Sequence, residues 1–241
     1  MKKVFLLTLS LSALGSGLVA HAEIQPGLTV IKRIRGNDNR GKFSIQYVQL
    51  TRKLTNRAIR NKLNTSLLKE AKRYICDADP KRRKNMESNL APKVTFANQE
   101  ALAITSSYDF YCGGPYPDAG IRTSFYDLRS GEKVAIEDQV RDLKVFKHLV
   151  VEKMLANIPP DMEGCKDYYT DEQLLDNDLK FEVKEGKLVA SQDYAHVARA
   201  CEYDTDIFFA DVKSFVKEGS TLACIIKYKS GEGQLRSLKP T

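Results

Sequence analysis

Apolar and polar residues alternate over positions 28–34 and again over 43–50, with the turn-forming run Gly36-Asn37-Asp38-Asn39 between them. A period of two predicts an antiparallel hairpin. Over 55–75 the period lengthens: Ile59, Leu63, Leu67, Ala71 and Tyr74 recur at helical spacing, joined by Leu68 and Ile75, with Lys and Arg on the opposite face. That pattern predicts one amphipathic helix lying on a sheet. An apolar strand at 101–111 then meets Gly113-Gly114-Pro115, a second strand follows at 121–128, and Arg129-Ser130-Gly131 turns it into a third at 133–136. The result is a β-meander with a decorated loop at 113–120. A second helix is expected at 143–157, stopped by Pro159-Pro160, and a short one after Thr170-Asp171. The remainder reads as a hairpin around Glu185-Gly186, a short strand at 206–209, a helical turn at 212–216 and a last strand at 222–228.

Strands and helices segregate along the chain instead of alternating. The expected class is α+β: an antiparallel sheet of hairpins and a meander, with two main helices packed on one side. No repeat, low-complexity tract or domain boundary interrupts it, so residues 23–241 are expected to form a single domain.

The first 22 residues belong to a different category. Lys2 and Lys3 precede an apolar run over 4–19, and Ala20-His21-Ala22 supplies an Ala-x-Ala cleavage site. Thr8, Ser10, Ser12, Gly15, Ser16 and Gly17 interrupt the run, and no basic flank follows it, so a cleaved signal peptide fits better than an anchor. Removing 22 of 241 residues leaves 219, and losing Lys2 and Lys3 takes the formal charge from +7 to +5. No later stretch is apolar enough to span a bilayer as a helix, and no Cys follows the cleavage site to carry a lipid. The expected location is the periplasm or the medium beyond it, which excludes a nucleic-acid partner. A mild basic excess suits anionic envelope polymers. Its densest cluster, Lys81-Arg82-Arg83-Lys84, follows Pro80 and reads as a solvated loop, with a polyanion contact as the sharper alternative.

All five cysteines, Cys76, Cys112, Cys165, Cys201 and Cys224, follow the leader. Export to an oxidising compartment makes disulfides their expected state, and the absence of Cys-x-x-Cys spacing argues against zinc. The pairing adopted is Cys76 with Cys112 and Cys165 with Cys201. Cys224, within Leu222-Ala223-Cys224-Ile225-Ile226, is expected to stay reduced inside a buried apolar strand.

Catalytic signals are weak. Cys201 with His196 is the one thiol–imidazole pair worth weighing, and a disulfide cysteine near a surface histidine explains it better. His148 falls on the second helix, near solvent. Carboxylate pairs such as Glu137-Asp138 and Asp204 with Asp206 are common in exported proteins and carry little information alone. No Gly-x-Ser-x-Gly elbow occurs. No cofactor, metal site or catalytic residue is therefore assigned.

Residues 110–138 resemble the extracytoplasmic domain shared by the lysozyme-sensing anti-sigma factor RsiV and the accessory region of the peptidoglycan deacetylase PdaC. There a Gly-Gly turn precedes a Tyr-Asp-Leu-x-x-Gly-Glu/Lys hairpin, matched here by Gly113-Gly114 and Tyr126-Asp127-Leu128-Arg129-Ser130-Gly131-Glu132. The resemblance extends more weakly to Ile59-Arg60-Asn61-Lys62-Leu63-Asn64 on the first helix, and on to 206–216. It implies an envelope binding protein whose partner is a lysozyme-like wall hydrolase or a cell-wall ligand. Relatives commonly read Gly-Gly-Ala-His-Pro at the loop, where this chain has Pro115-Tyr116.

Read from its own residues, that loop is a contact surface. Gly113 and Gly114 permit positive φ, Pro115 and Pro117 stiffen it, and Tyr116 presents an amphipathic ring at low entropic cost. Gly113, Gly114, Tyr116, Pro117 and Asp118 are the candidate binding residues, with an ordinary turn and a half-buried Tyr116 as the plainer reading. A lysozyme partner meets one objection, since two basic proteins repel at long range. Acidic clusters at 161–163, 167–178 and 202–206 are the segments able to offset it. The competing class is a hydrolase of peptidoglycan or another envelope polymer, working through paired carboxylates.

Overall fold

A six-stranded sheet whose strands neighbour one another in chain order forms the frame, and a three-stranded sheet of later strands packs against it. The computed structural model describes residues 25–38, 41–54, 56–76, 86–113, 115–168, 179–192 and 200–230. The leader at 1–22, the basic run at 81–84, Gly114, the Thr170-Asp171 cap and His196 all lie outside them.

The first hairpin pairs β1 (Thr29–Asp38) with β2 (Gly41–Leu50) in unbroken antiparallel register. The helix α1 (Arg57–Lys72) follows, capped by Asn56, whose side chain accepts from the amides of Ala58 and Ile59 at 3.1 and 3.2 Å. Its buried stripe is Leu63, Leu67 and Ala71, one residue per turn. Asn64 holds the helix to the sheet by bonding both backbone groups of Leu50, at 2.7 and 3.0 Å. Because α1 carries the chain back across the sheet, β3 (Glu87–Ala97) lies parallel to β2, paired over 42–45 with 87–90. The other pairings are antiparallel: β4 (Ala101–Tyr111), β5 (Asp118–Asp127) and β6 (Glu132–Val134) complete the meander.

The strand β3 is not among the elements expected above, and Pro92 sits in its centre. Pro92 falls just beyond the last β2–β3 pair, so β3 has no ladder partner on that side and tolerates a residue with no N–H.

The class and the antiparallel character are those expected, but the helices divide between the two faces of the large sheet. Alternation along β4 decides this: Leu102 and Ile104 point to α1, while Ala101 and Ala103 point away. Leu63 and Leu67 pack with the first pair and with Tyr126. The opposite face is covered by α2 (Leu143–Ala156), α4 (Thr221–Lys229) and the small sheet of β7 (Leu179–Lys184), β8 (Lys187–Gln192) and β9 (Thr205–Phe208). A strand buried on both faces cannot be told from sequence alone to send successive apolar residues to two cores. Between β9 and α4 runs the single-turn α3 (Phe209–Val212).

One strand expectation is corrected. Residues 222–228 form α4, not a strand. Ser220 caps it by accepting from Ala223 N at 3.1 Å, and Leu222, Ile225 and Ile226 supply the buried stripe. A five-residue apolar run carries no period of its own, and the cap decides. Cys224 stays reduced as expected, half-buried on this helix, with Asn98 Nδ2 at 3.5 Å from its sulfur. Burial pushes its thiol up.

Candidate binding site

Two disulfides close loops of equal span, Cys76–Cys112 and Cys165–Cys201, with Cα separations of 5.3 and 5.6 Å. The first matters for the site. Cys76 lies just past α1 and Cys112 just past β4, so the bond ties the end of the helix to the root of the loop. Phe110 and Asp118 pair across the mouth of that loop, and Gly113 takes φ +86°, in the left-handed region that suits glycine. Tyr116 is 65 % exposed at the tip, Pro117 is exposed beside it and Asp118 is half-buried as β5 begins. Gly113, Tyr116, Pro117 and Asp118 therefore gather at one end of the large sheet.

Directly adjoining them lies a groove that sequence reasoning missed. Glu70, Arg73 and Tyr74 from the end of α1 face Tyr108 and Phe110 of β4 and Arg122 of β5, enclosing about 310 Å³. Three rings form one wall: Tyr74 and Tyr108 lie 5.3 Å apart between centroids, Tyr108 and Phe110 6.0 Å, Tyr74 and Phe110 6.4 Å. Tyr108 pairs across the strands with Gly120, and a β-carbon on Gly120 would stand 2.8 Å from the Tyr108 hydroxyl. The glycine leaves room for the ring to lie across β5. Arg122 also borders a narrow crevice of about 40 Å³ beneath α1 and a cleft of about 780 Å³ at the sheet edge. That edge is open because β6 pairs with β5 only over 125–127.

The charges of the groove are organised around Glu70. Burial alone would raise its carboxyl, but hydrogen bonds from Lys133 and Tyr126, with the nearby charges of Lys133 and Arg122, outweigh burial and hold it below the usual carboxylate range. The Tyr126 hydroxyl donates to Glu70 Oε2 at 2.8 Å, and Lys133 bonds Oε1. Burial first, then the Glu70 charge, pushes the Tyr126 phenol far up. Tyr74 is raised chiefly by burial, partly offset by the nearby charge of Arg122. Three cations (Arg73, Arg122, Lys133) face two carboxylates (Glu70, Asp118) in the groove among the described residues.

A hydrolytic general acid needs a carboxyl raised toward neutrality, and Glu70 is shifted the other way. Elsewhere the weighed candidates have structural partners or stand apart: Cys201 is oxidised, His148 is exposed on α2, and Asp206 is ion-paired with Lys187. No group of three or more His, Cys, Asp and Glu able to hold a metal occurs among the described residues. Likewise no helix among them is long and apolar enough to cross a membrane.

Two signals for the groove were present in the sequence. Tyr108 and Phe110 alternate along β4, and Tyr74 closes the helical stripe of α1. Their convergence depends on the β2–α1–β3 crossover, which spacing does not reveal.

No protein-family profile matches the chain, and no curated protein matches it. Its fold does have solved counterparts. The chain is similar to a DUF3298 family member from Bacteroides fragilis, at TM-score 0.59 and 14 % identity over 85 % of this chain and 98 % of that one. A DUF3298 family protein from Pseudomonas aeruginosa matches at TM-score 0.48 and 14 % identity, covering 78 % of this chain and 94 % of that one. At such identity the likeness concerns the fold alone.

Proposed function

We propose that this chain is an exported, non-catalytic binding protein of the bacterial envelope, contacting a cell-wall ligand or a lysozyme-like wall hydrolase through loop 113–118 and the groove beside it. The observation that carries this reading is the disulfide-tethered loop, which holds Tyr116 65 % exposed next to a three-ring wall. A pre-ordered aromatic loses little entropy on association, which is how such residues become binding anchors. The leader, the two disulfides and the resemblance of 110–138 to RsiV-type domains support a periplasmic setting, and the DUF3298-like fold agrees with that resemblance. The excess of cations in the groove favours an anionic wall ligand over a basic hydrolase. Cleavage should place the mature terminus at Glu23, which mass spectrometry of exported protein reads directly.

Purified sacculi and lysozyme, offered as separate baits, test the reading. Tyr116→Ala should weaken capture on the binding bait by more than about 1 kcal/mol while leaving the melting temperature almost unchanged. If the variant loses stability and keeps affinity, the ring is a packing residue and the loop assignment fails. Turnover of wall fragments that is indifferent to Tyr116 would establish the hydrolase instead.

A further inference from the structure

The Tyr74–Tyr108–Phe110 wall and Arg122 stand at a fixed spacing on one face of the sheet. Tyr108 on β4 is paired with Gly120, and Arg122 lies two residues further along β5, so the two side chains are diagonal neighbours. Such neighbours have backbone positions about 7–8 Å apart, within reach of one another's long side chains, so the ring and the guanidinium can border a single saccharide. The Arg122 guanidinium, lining the groove, offers N–H donors in a planar fork. What the fork matches best is a carboxylate, held by two parallel bonds. The rings offer negative π faces to the weakly positive axial C–H groups of a pyranose. Three cations against two carboxylates leave the groove with one net positive charge, suited to one carboxylate rather than a doubly charged phosphate monoester.

We infer that the groove is a subsite for a carboxylate-bearing saccharide, with the pyranose stacked on Tyr108 and Phe110 and the acid on Arg122. This rests on the binding function proposed above and narrows it to an acidic sugar of the wall. Glu70 takes no direct part. Engaged by Lys133 and Tyr126, it holds Lys133 at the rim and stays ionised.

A matched pair of probes tests the inference: the methyl glycosides of N-acetylmuramic acid and N-acetylglucosamine, which differ only by the 3-O-lactyl ether that carries the carboxylate. Titrations followed by protein NMR should show the muramic glycoside binding at least about tenfold tighter, with shifts centred on residues 108–122. Arg122→Met should abolish that preference while leaving the weak binding of the neutral sugar. Tyr108→Leu should weaken both glycosides together. Free lactate separates recognition of any carboxylate from recognition of the acidic sugar: it should bind at least tenfold more weakly than the muramic glycoside. Equal affinity for the two glycosides, an unchanged preference in Arg122→Met, or tighter binding of N-acetylglucosamine 6-phosphate would overturn the assignment. If neither glycoside binds while lysozyme capture still depends on Tyr116, the subsite falls and the proposed binding function stands.

Discussion

The two faces of the large sheet are finished differently. On the face away from α1, Phe96, Ala101, Ala103 and Phe125 are covered by α2, α4 and the small sheet, and further along the same strands Ser107, Asp109 and Ile121 stand exposed. Polar groups there serve the packing: the Tyr203 hydroxyl donates to the carbonyl of Met154 at 2.6 Å, and Gln139 accepts from Thr221 N at 3.0 Å. On the other face α1 seals one half with Leu63 and Leu67, then its last turn gives way to Glu70, Arg73 and Tyr74 over Tyr108, Phe110 and Arg122. Past the ends of these two cores the far face meets solvent with Ser107, Asp109 and Ile121, and the α1 face presents a ring wall flanked by charge. Stability and contact are thus separable by mutation.

Phe146→Ala should have the largest effect. This ring is 1 % exposed on α2, 5.7 Å from that of Phe181, and its truncation should cost about 3–5 kcal/mol in chemical denaturation. Variants that still fold should retain affinity for the envelope bait, since Phe146 does not line the groove.

Removing the Cys76–Cys112 bridge by paired alanine substitution should cost about 2–4 kcal/mol. Unlike the core truncation, it should also weaken binding, because it frees the loop from α1. Removing Cys165–Cys201 should lower stability comparably and leave binding alone. Equal loss of binding from both would show that the first bridge has no special relation to the site.

Glu70→Gln should cost about 1 kcal/mol at neutral pH, the usual net worth of a hydrogen-bonded group. The sign with pH follows from the lowered carboxyl. Its contribution is complete above the ordinary carboxylate value of 4.5 and is lost as pH falls through the lower native value. The difference between wild type and variant should therefore shrink on acidification. A difference that grew as pH fell would mean that Glu70 is not held ionised.

The smallest effect on stability is expected from Gly120→Ala, within about 1 kcal/mol, because the tip of Tyr108 can swing away from the new methyl. Its effect on binding should be disproportionate, since the displaced ring is the floor of the groove.

Much of the fold was legible in local pattern. Leu63, Leu67 and Ala71 mark α1, alternation marks the first hairpin and the 101–136 meander, and the cysteines flanking element ends pair as read. Three features were hidden for physical reasons. The strand β3 was not expected, and the parting of β2 and β3 that tolerates Pro92 in its centre is a tertiary fact. Cys224 looked strand-borne because its short apolar run fits either period, and Ser220 decides for the helix. The split of the helices was hidden by Ala101 to Ile104, four consecutive apolar residues that serve two cores. Of the site, the loop was visible in its Gly and Pro residues. The groove was not, because its residues come from α1, β4, β5 and β6 and meet only after the crossover.

Hydrogen exchange with and without bound wall fragments tests most directly the claim that the α1 face carries contact. The account predicts slowed exchange across 108–122 and the last turn of α1, with α2, β9 and α4 unchanged. Protection confined to α2 and β9, where Val145 and Phe208 are also exposed, would place the contact on the opposite face and contradict it.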